Sequence, residues 1–273
     1  MKISEYTKAT SFDDGDYLIK DGTNGTKIIK ASDAAAAFFD SLIDSSMHAN
    51  VYRGKNLGTS VTAAQKTAIQ NGTFKDLFVG DYWVIDGVTW RIADMDYFYN
   101  CGDTSFTKHH LVIVPDSSLY NAQMNETNVT TGGYTGSKMY TANLETAKTK
   151  ITGAFGDLVL THRDYLTNAV TNGYPSGGAW FDSTVELMNE VMVYGCFIRS
   201  PMGNGSTIPA NYTTAKKQLS LFRLNPKKLN IRVWFWLRDV VSSTSFASVY
   251  GNGSAYSNGA DSNVGVRPYF IIG

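Results

Sequence analysis

Stretches with a two-residue apolar period and stretches with a helical one succeed each other along the chain. They are grouped and do not alternate strictly. VGDYWVIDGVTWRIADMDYFY (79–99) has strand-like spacing on both sides of Asp86-Gly87, a dipeptide suited to a tight hairpin turn. Trp83, Trp90 and Ile92 are its expected core residues. HHLVIVPD (109–116) reads as a further strand stopped by Pro115, RVWFWLRDVV (232–241) as an apolar strand between two arginines, and GVRPYFII (265–272) as the last strand. Helical spacing predicts a helix from Thr62 to Ile69 that ends at Asn71-Gly72. A second helix lies in 142–156, with Leu144, Ala147, Ile151 and Phe155 on one stripe. In STVELMNEVMVYG (183–195) a Ser/Thr cap opens a helix with Leu187 and Val191 inward, running on toward a strand. Residues 120–142 are polar and rich in Gly and Thr, and read as a long loop. The grouping predicts an α+β fold.

The first 46 residues read as a separate small unit. Two short strands, Tyr17–Ile19 and Lys27–Ile29, flank a Gly/Asn turn, and Ser32 is placed to cap a helix through Phe38, Phe39, Leu42 and Ile43. So short a segment buries little on its own, so it is expected to pack on a partner or on copies of itself. Residues 47–76 follow as a helical connector and 77–273 as the main domain. The 273 residues are 43% hydrophobic and 13% aromatic, which is too apolar for a disordered chain. Formal net charge is zero, and no basic block offers a field for nucleic acid or an anionic membrane. No apolar run is long enough for a membrane helix, and MKISEYTKAT lacks the apolar stretch of a secretory signal, so a product made in the cytoplasm is expected. Cys101 and Cys196 form no metal or disulfide motif and are expected as buried thiols.

Candidate chemistry is sparse. Cys101, Asp103, His109 and His110 lie close together, but adjacent histidines in a strand point to opposite faces, so a structural role is expected. His162, Arg163 and Asp164 come without a nucleophile motif and are read as a hydrogen-bond network at a helix start. GTNGTK (22–27) lacks phosphate-loop spacing. Asp94 and Asp96, the best carboxylate pair, sit in the presumed core hairpin. Hence no enzyme, no cofactor and no metal site is expected.

FASVYGNGSAYSNGADSNVGVRP (246–268) is more informative. Taken as an extended ribbon, its even positions from Ser248 to Asn258 carry only Ser, Tyr and Asn, and its odd positions from Val249 to Gly259 are all tiny but Val249. One face would lie close on the body, and the other would present a Tyr/Ser/Asn surface of the kind used by antibody paratopes. From Val240 to Val266 there is also no Lys, Glu, Gln, Met or Trp, the residues that codons ending in C or T do not encode. Asn codons randomised at their adenines would leave that pattern. The expected contact residues are Ser243, Ser245, Ser248, Tyr250, Asn252, Ser254, Tyr256, Asn258, Asp261 and Asn263.

YRGKNLG (52–58), FKDLFVGDYWVIDGVTWRI (74–92), HHLVIVPD, GGYTGSKMY (132–140), ELMNEVMVYG (186–195) and WFWLRDVV…GVRPYF (234–270) resemble phage and prophage virion proteins of gut bacteria. The closing WLR…GVRP pattern is similar to C-type-lectin-like domains related to the formylglycine-generating-enzyme fold, which serve as variable proteins of diversity-generating retroelements and as phage tropism determinants. The opening KISEYTKAT…DDGDYLIKD…GTKII resembles the anchor segment of phage fibre proteins. The resemblance implies a trimeric head-fibre or tail-tip protein of the virion. Its N-terminus would dock on a capsid or tail protein, and its C-terminal loop would meet a protein or glycan of the bacterial surface. No cysteine follows residue 196 and no EPN or WND calcium motif is present, so neither the copper chemistry nor the calcium-dependent sugar binding of related folds is implied. The alternative reading is a purely structural capsid decoration protein with an inert loop.

Overall fold

The computed structural model describes residues 17–20, 27–42, 45–201 and 217–273. The chain divides into two compact units, Met1–Met47 and His48–Gly273. In the first, β1 (Tyr17–Lys20) pairs antiparallel with β2 (Lys27–Lys30), and α1 (Ala31–Leu42) packs on both strands. Ser32 lies inside the first turn of α1, two residues past the position that would cap it. The Gly/Asn turn, Ile43 and GTNGT (22–26) lie outside the described residues. Tyr17, Ile19, Ile28 and Phe38 are exposed in this unit; Ile19 and Ile28, 76% and 70% accessible, are cross-strand partners. A short helix, α2 (Ser45–His48), spans the unit boundary.

The second unit opens with the stretch set apart above as a connector. α3 (Ala63–Gln70) starts at a reciprocal capping box between Thr62 and Gln65, and buries Ala68 and Ile69 in the main core. β3 (Tyr82–Ile85) and β4 (Val88–Met95) form the expected hairpin, with Asp86 and Gly87 both at positive φ, as its two-residue turn requires. β5 (Leu111–Pro115) follows. The presumed loop 120–142 contains a short strand, β6 (Tyr120–Ala122), and leads into a helical turn at Met139–Asn143 and then α4 (Glu145–Phe155). The α4 stripe Leu144, Ala147, Ile151 and Phe155 is buried as its spacing requires.

Three expectations are corrected here. First, His162–Asp164 start no helix. They belong to β7 (His162–Thr171), which pairs with β8 (Tyr174–Ser183) through Asn172-Gly173, both at positive φ. Second, the Ser/Thr cap at 183–184 is not used. Val185–Leu187 pairs with the C-terminal strand as β9, because both faces there are buried, and the helix, α5 (Glu190–Tyr194), is capped by Asn189 instead. Third, Cys101 is buried but Cys196 is exposed, just beyond the left-handed Gly195 that ends α5. α6 (Ser220–Leu224) then leads to β10 (Phe235–Val240), β11 (Ser245–Val249), β12 (Ala255–Gly259), β13 (Val264–Val266) and β14 (Pro268–Ile272).

These strands build two five-stranded sheets, β3-β4-β5-β14-β9 and β12-β11-β10-β13-β6; β10 and β13 run parallel. Both sheets feed two cores. Phe270 and Ile272 of β14 go to one and Tyr269 and Ile271 to the other; Leu111 and Ile113 of β5 oppose Val112 and Val114 in the same way. Burial on both faces is why these strands read as unbroken apolar runs. Arg267 sits where the chain passes from the second sheet to the first. It is fully buried between the rings of Phe222 and Phe235, donating from Nε to the Pro115 carbonyl at 2.9 Å and from Nη1 to the Lys228 carbonyl at 3.1 Å. The architecture is mixed α+β, mostly sheet.

Candidate functional site

The 246–268 segment is a hairpin and not a single ribbon. β11 and β12 pair in the register Ser245↔Gly259 to Val249↔Ala255, so Ser248 faces Tyr256 and Phe246 faces Asn258. The turn between them is closed by Tyr250 N donating to the Ser254 carbonyl at 2.8 Å and Gly253 N to the Tyr250 carbonyl at 2.7 Å. It is pinned from below as well. Arg232 N donates to the Gly251 carbonyl at 2.9 Å, and the Tyr194 hydroxyl of α5 to the Gly253 carbonyl at 3.1 Å. A Cβ at Gly251 would come within 3.1 Å of the Arg232 backbone. Gly253, at φ +92, would place one 3.2 Å from the Leu229 Cβ. Small residues therefore let the turn lie on the body, as the alternation implied.

Register divides the expected contact residues between two places. At the turn end, Tyr250, Asn252, Ser254 and Tyr256 are exposed. At the other end, about 13 Å away at ~3.3 Å per residue along β11, Ser243, Asp261 and Asn263 are exposed and Ser245 is half-buried. That end is held by residues 123–130: Thr130 N and Oγ1 donate to the carbonyls of Ser243 and Ser242, and Gln123 Nε2 to the Asp261 carbonyl. The β7–β8 tip approaches it too, since a Cβ at Gly173 would meet Ser243 N at 2.8 Å. Between the two ends the expectation fails. Ser248 is only 1% accessible, and its Oγ accepts from the half-buried Asn258 Nδ2 at 2.8 Å. Ser248 is buried because Phe246 beside it and Trp236 opposite it fill the core on that face.

Trp234 falls within the apolar stretch 232–241 that reads as a strand. It lies one residue before β10, where the Phe235↔Val249 register sets it beside Tyr250, and it is 37% accessible. Its ring centroid is 4.7 Å from Tyr250 and 5.4 Å from Tyr256, and the two tyrosines are 5.9 Å apart, with interplanar angles of 45°, 53° and 54°. The tyrosines are 38% and 40% accessible, so three large aromatic faces meet in an exposed corner. Arg199 borders it: its Cζ stands 5.5 Å from the Tyr256 centroid and its Nε donates to the Ala255 carbonyl at 3.4 Å. The backbone under Arg199 is fixed by the buried carboxylate of Glu190, which accepts from the amides of Ile198, Arg199 and Ser200 at 2.9–3.2 Å. Neither Trp234 nor Arg199 stood out in the sequence. The hairpin register carries the only signal for the first, and nothing local marks the second.

The other polar clusters pair internally. His110 is buried, accepts from Phe98 N at 3.0 Å and donates to the Lys108 carbonyl at 2.9 Å; burial drives its pKa down to about 4. His109 pairs with Asp96 at 2.7 Å and Asp103 with Arg163 at 2.7 Å. Asp94 is buried and accepts from the amides of Met95 and Ser220. Asp164 is buried between Arg238, at 2.6 Å, and the Tyr269 hydroxyl, at 2.5 Å. Among the described residues, no three His, Cys, Asp or Glu side chains gather as metal ligands, and no helix is long and apolar enough to cross a membrane.

A mixed α+β unit that presents an aromatic corner on a pinned hairpin is thus the class that fold and site define. A family described as a domain of unknown function (DUF6273) matches residues 190–273, the span that runs from α5 through β10–β14 and includes the whole hairpin. No curated protein and no solved structure matches the chain.

Proposed function

We propose that the protein is a receptor-binding component of a phage virion, a head fibre or tail-tip protein, that touches the bacterial surface through a C-type-lectin-like C-terminal domain. The observation that carries this reading is the exposed corner of Trp234, Tyr250 and Tyr256 on a turn held by backbone hydrogen bonds. Binding energy concentrates in aromatic and Arg anchors, and a pre-ordered turn loses little entropy on contact. An inert decoration protein has no need to leave three large rings in solvent beside a cation. The exposed Tyr17, Ile19, Ile28 and Phe38 of the N-terminal unit support its role as virion anchor and homotrimer contact. The chain acts by binding and not by catalysis in this reading, without cofactor.

The test is adsorption of purified full-length protein to bacteria, with thermal melting alongside. The Tyr250→Ala/Tyr256→Ala protein is expected to melt like the parent. Each truncation is expected to cost about 2 kcal/mol of binding, roughly thirtyfold in affinity. Normal melting with undiminished adsorption would refute the contact and favour the structural-decoration reading.

A further inference from the structure

We propose that the corner of Trp234, Tyr250 and Tyr256 binds a pyranose bearing a carboxylate, an acidic sugar of a surface glycan, with Arg199 taking the carboxylate. This rests on the receptor-contact reading above and names the ligand chemistry of that site.

Charge comes first. Arg199 Nε is committed to the Ala255 carbonyl, but neither Nη group has a partner among the described residues. The nearby acids are already engaged: Glu190 accepts three backbone amides, and Asp239 accepts Glu190 N at 2.6 Å. Asp261 is the single acid between Ser243 and Asn263, and it lies at the far end of the hairpin. A guanidinium with two open N–H pairs beside exposed rings matches a carboxylate attached to an apolar face.

Shape comes second. The rings pack on one another at 4.7–5.9 Å with tilts of 45–54°, so they offer no slot but a faceted apolar platform, against whose exposed faces one side of a saturated six-membered ring can lie. The electron-rich aromatic faces meet its polarised axial C–H bonds. The rim is polar. Asn252 Oδ1 accepts from both N and Oγ of Ser254, at 3.0 and 2.7 Å, which directs the Asn252 Nδ2 donor outward. Ser254 Oγ keeps its lone pairs for a sugar hydroxyl. Aromatic floor, amide and hydroxyl rim and a guanidinium whose Nη groups have no partner among the described residues together describe an acidic pyranose more closely than an aliphatic protein side chain.

The experiment displays oligosaccharides ending in galacturonate, glucuronate or sialic acid beside their neutral counterparts and measures binding of the full-length protein. At least one acidic probe is expected to bind about tenfold tighter than its neutral counterpart, as for one charge-assisted contact. Arg199→Gln should bring the two to parity, Arg199→Lys should restore part of the preference, and Tyr250→Ala/Tyr256→Ala should lose both. Equal binding of acidic and neutral probes, binding of none, or a preference untouched by Arg199→Gln overturns the proposal. Adsorption to bacteria separates the two levels. If the double Tyr variant stops adsorbing while periodate-treated cells still bind the parent, the ligand is a protein and only the sugar is wrong. If the double variant adsorbs normally, the receptor reading itself falls.

Discussion

Replacing Asp164 with Ala tests a buried ion pair at the centre of the main unit. Asp164 is on β7, and its carboxylate meets Arg238 of β10 through two bonds, Nη1–Oδ2 at 2.6 Å and Nη2–Oδ1 at 3.2 Å. The Tyr269 hydroxyl of β14 donates to the same Oδ2 at 2.5 Å. One side chain thus joins the β7–β8 hairpin to both sheets, and Asp164 and Arg238 are both buried. Removing the carboxylate that faces a buried guanidinium costs about 3–5 kcal/mol. At ~2–4 °C per kcal/mol for a unit of this size, Tm should fall by roughly 6–20 °C. Tyr269→Phe removes the hydroxyl's bond to this carboxylate, together with its two longer contacts at 3.4 Å to Arg238 Nη1 and His162 Nε2, and should cost about 1.5–3 kcal/mol. Burial pushes the Asp164 carboxyl up, but Arg238 and its other partners outweigh that and hold it below the usual carboxylate range. Its contribution is therefore present above the unfolded carboxylate value and lost as pH falls through the lowered one, so the gap between variant and parent should narrow in acid. Fluorimetric melting of the full chain from pH 3 to pH 8 reads all of this. An Asp164→Ala protein melting within 2 °C of the parent at pH 7, or a gap independent of pH, would refute the assignment.

The buried carboxyl of Glu186 has the opposite sign. Burial, reinforced by Asp164, raises it to about 7, although Tyr134 and Ser183 donate to it. The folded state then holds a proton that the unfolded chain releases, so the parent should lose stability as pH rises from about 4.5 to about 7. Glu186→Gln should gain on it by on the order of 1–3 kcal/mol across that window; parallel melting curves would count against the shift. Ser248→Tyr should destabilise by about 1–3 kcal/mol by overpacking, whereas Ser254→Tyr at the exposed turn should leave Tm within ~1 °C. Equal melting of the two would mean that Ser248 is not enclosed.

Elements whose signal is local were legible in the sequence. The Asp86-Gly87 hairpin, the capped α3 and the α4 stripe each follow from spacing and turn chemistry within a few residues. What failed depends on distant partners. VEL at 185–187 carries a helical pattern but has β14 waiting beside it, and the pairing of Pro268–Phe270 with Val185–Leu187 decides the outcome. β7 and β8 carry a regular Asn-Gly turn signal, yet HRD drew the reading toward catalytic and capping chemistry. At the candidate site, composition pointed to Tyr250 and Tyr256, and the structure leaves both exposed. Trp234 sits in an apolar run where every residue looks like core, and only the register with β11 brings it to the surface. Arg199 reaches the corner through Glu190, nine residues earlier in the chain.

The same register sharpens what the restricted residue set of 240–266 means. In β11 the absence of long polar side chains has a packing cause: Phe246 fills one core, Ala247 and Val249 the other, and Ser248 is enclosed. At Gly251 and Gly253 the cause is backbone approach. Neither cause reaches Asn252, Ser254 or Tyr256, where the side chain stands in solvent and Lys, Glu or Gln would cost the fold little. Those positions, with Tyr250, Ser243, Asp261 and Asn263, are where a codon-level origin of the bias has force. A diversified surface on this frame would therefore vary at the turn, along the edge strand β12 and at 261–263, while β11 stays constant beneath it. Two well-packed cores under an unconstrained rim let contact chemistry change without a loss of stability. The proposed receptor-binding role requires that separation, and a decoration role does not.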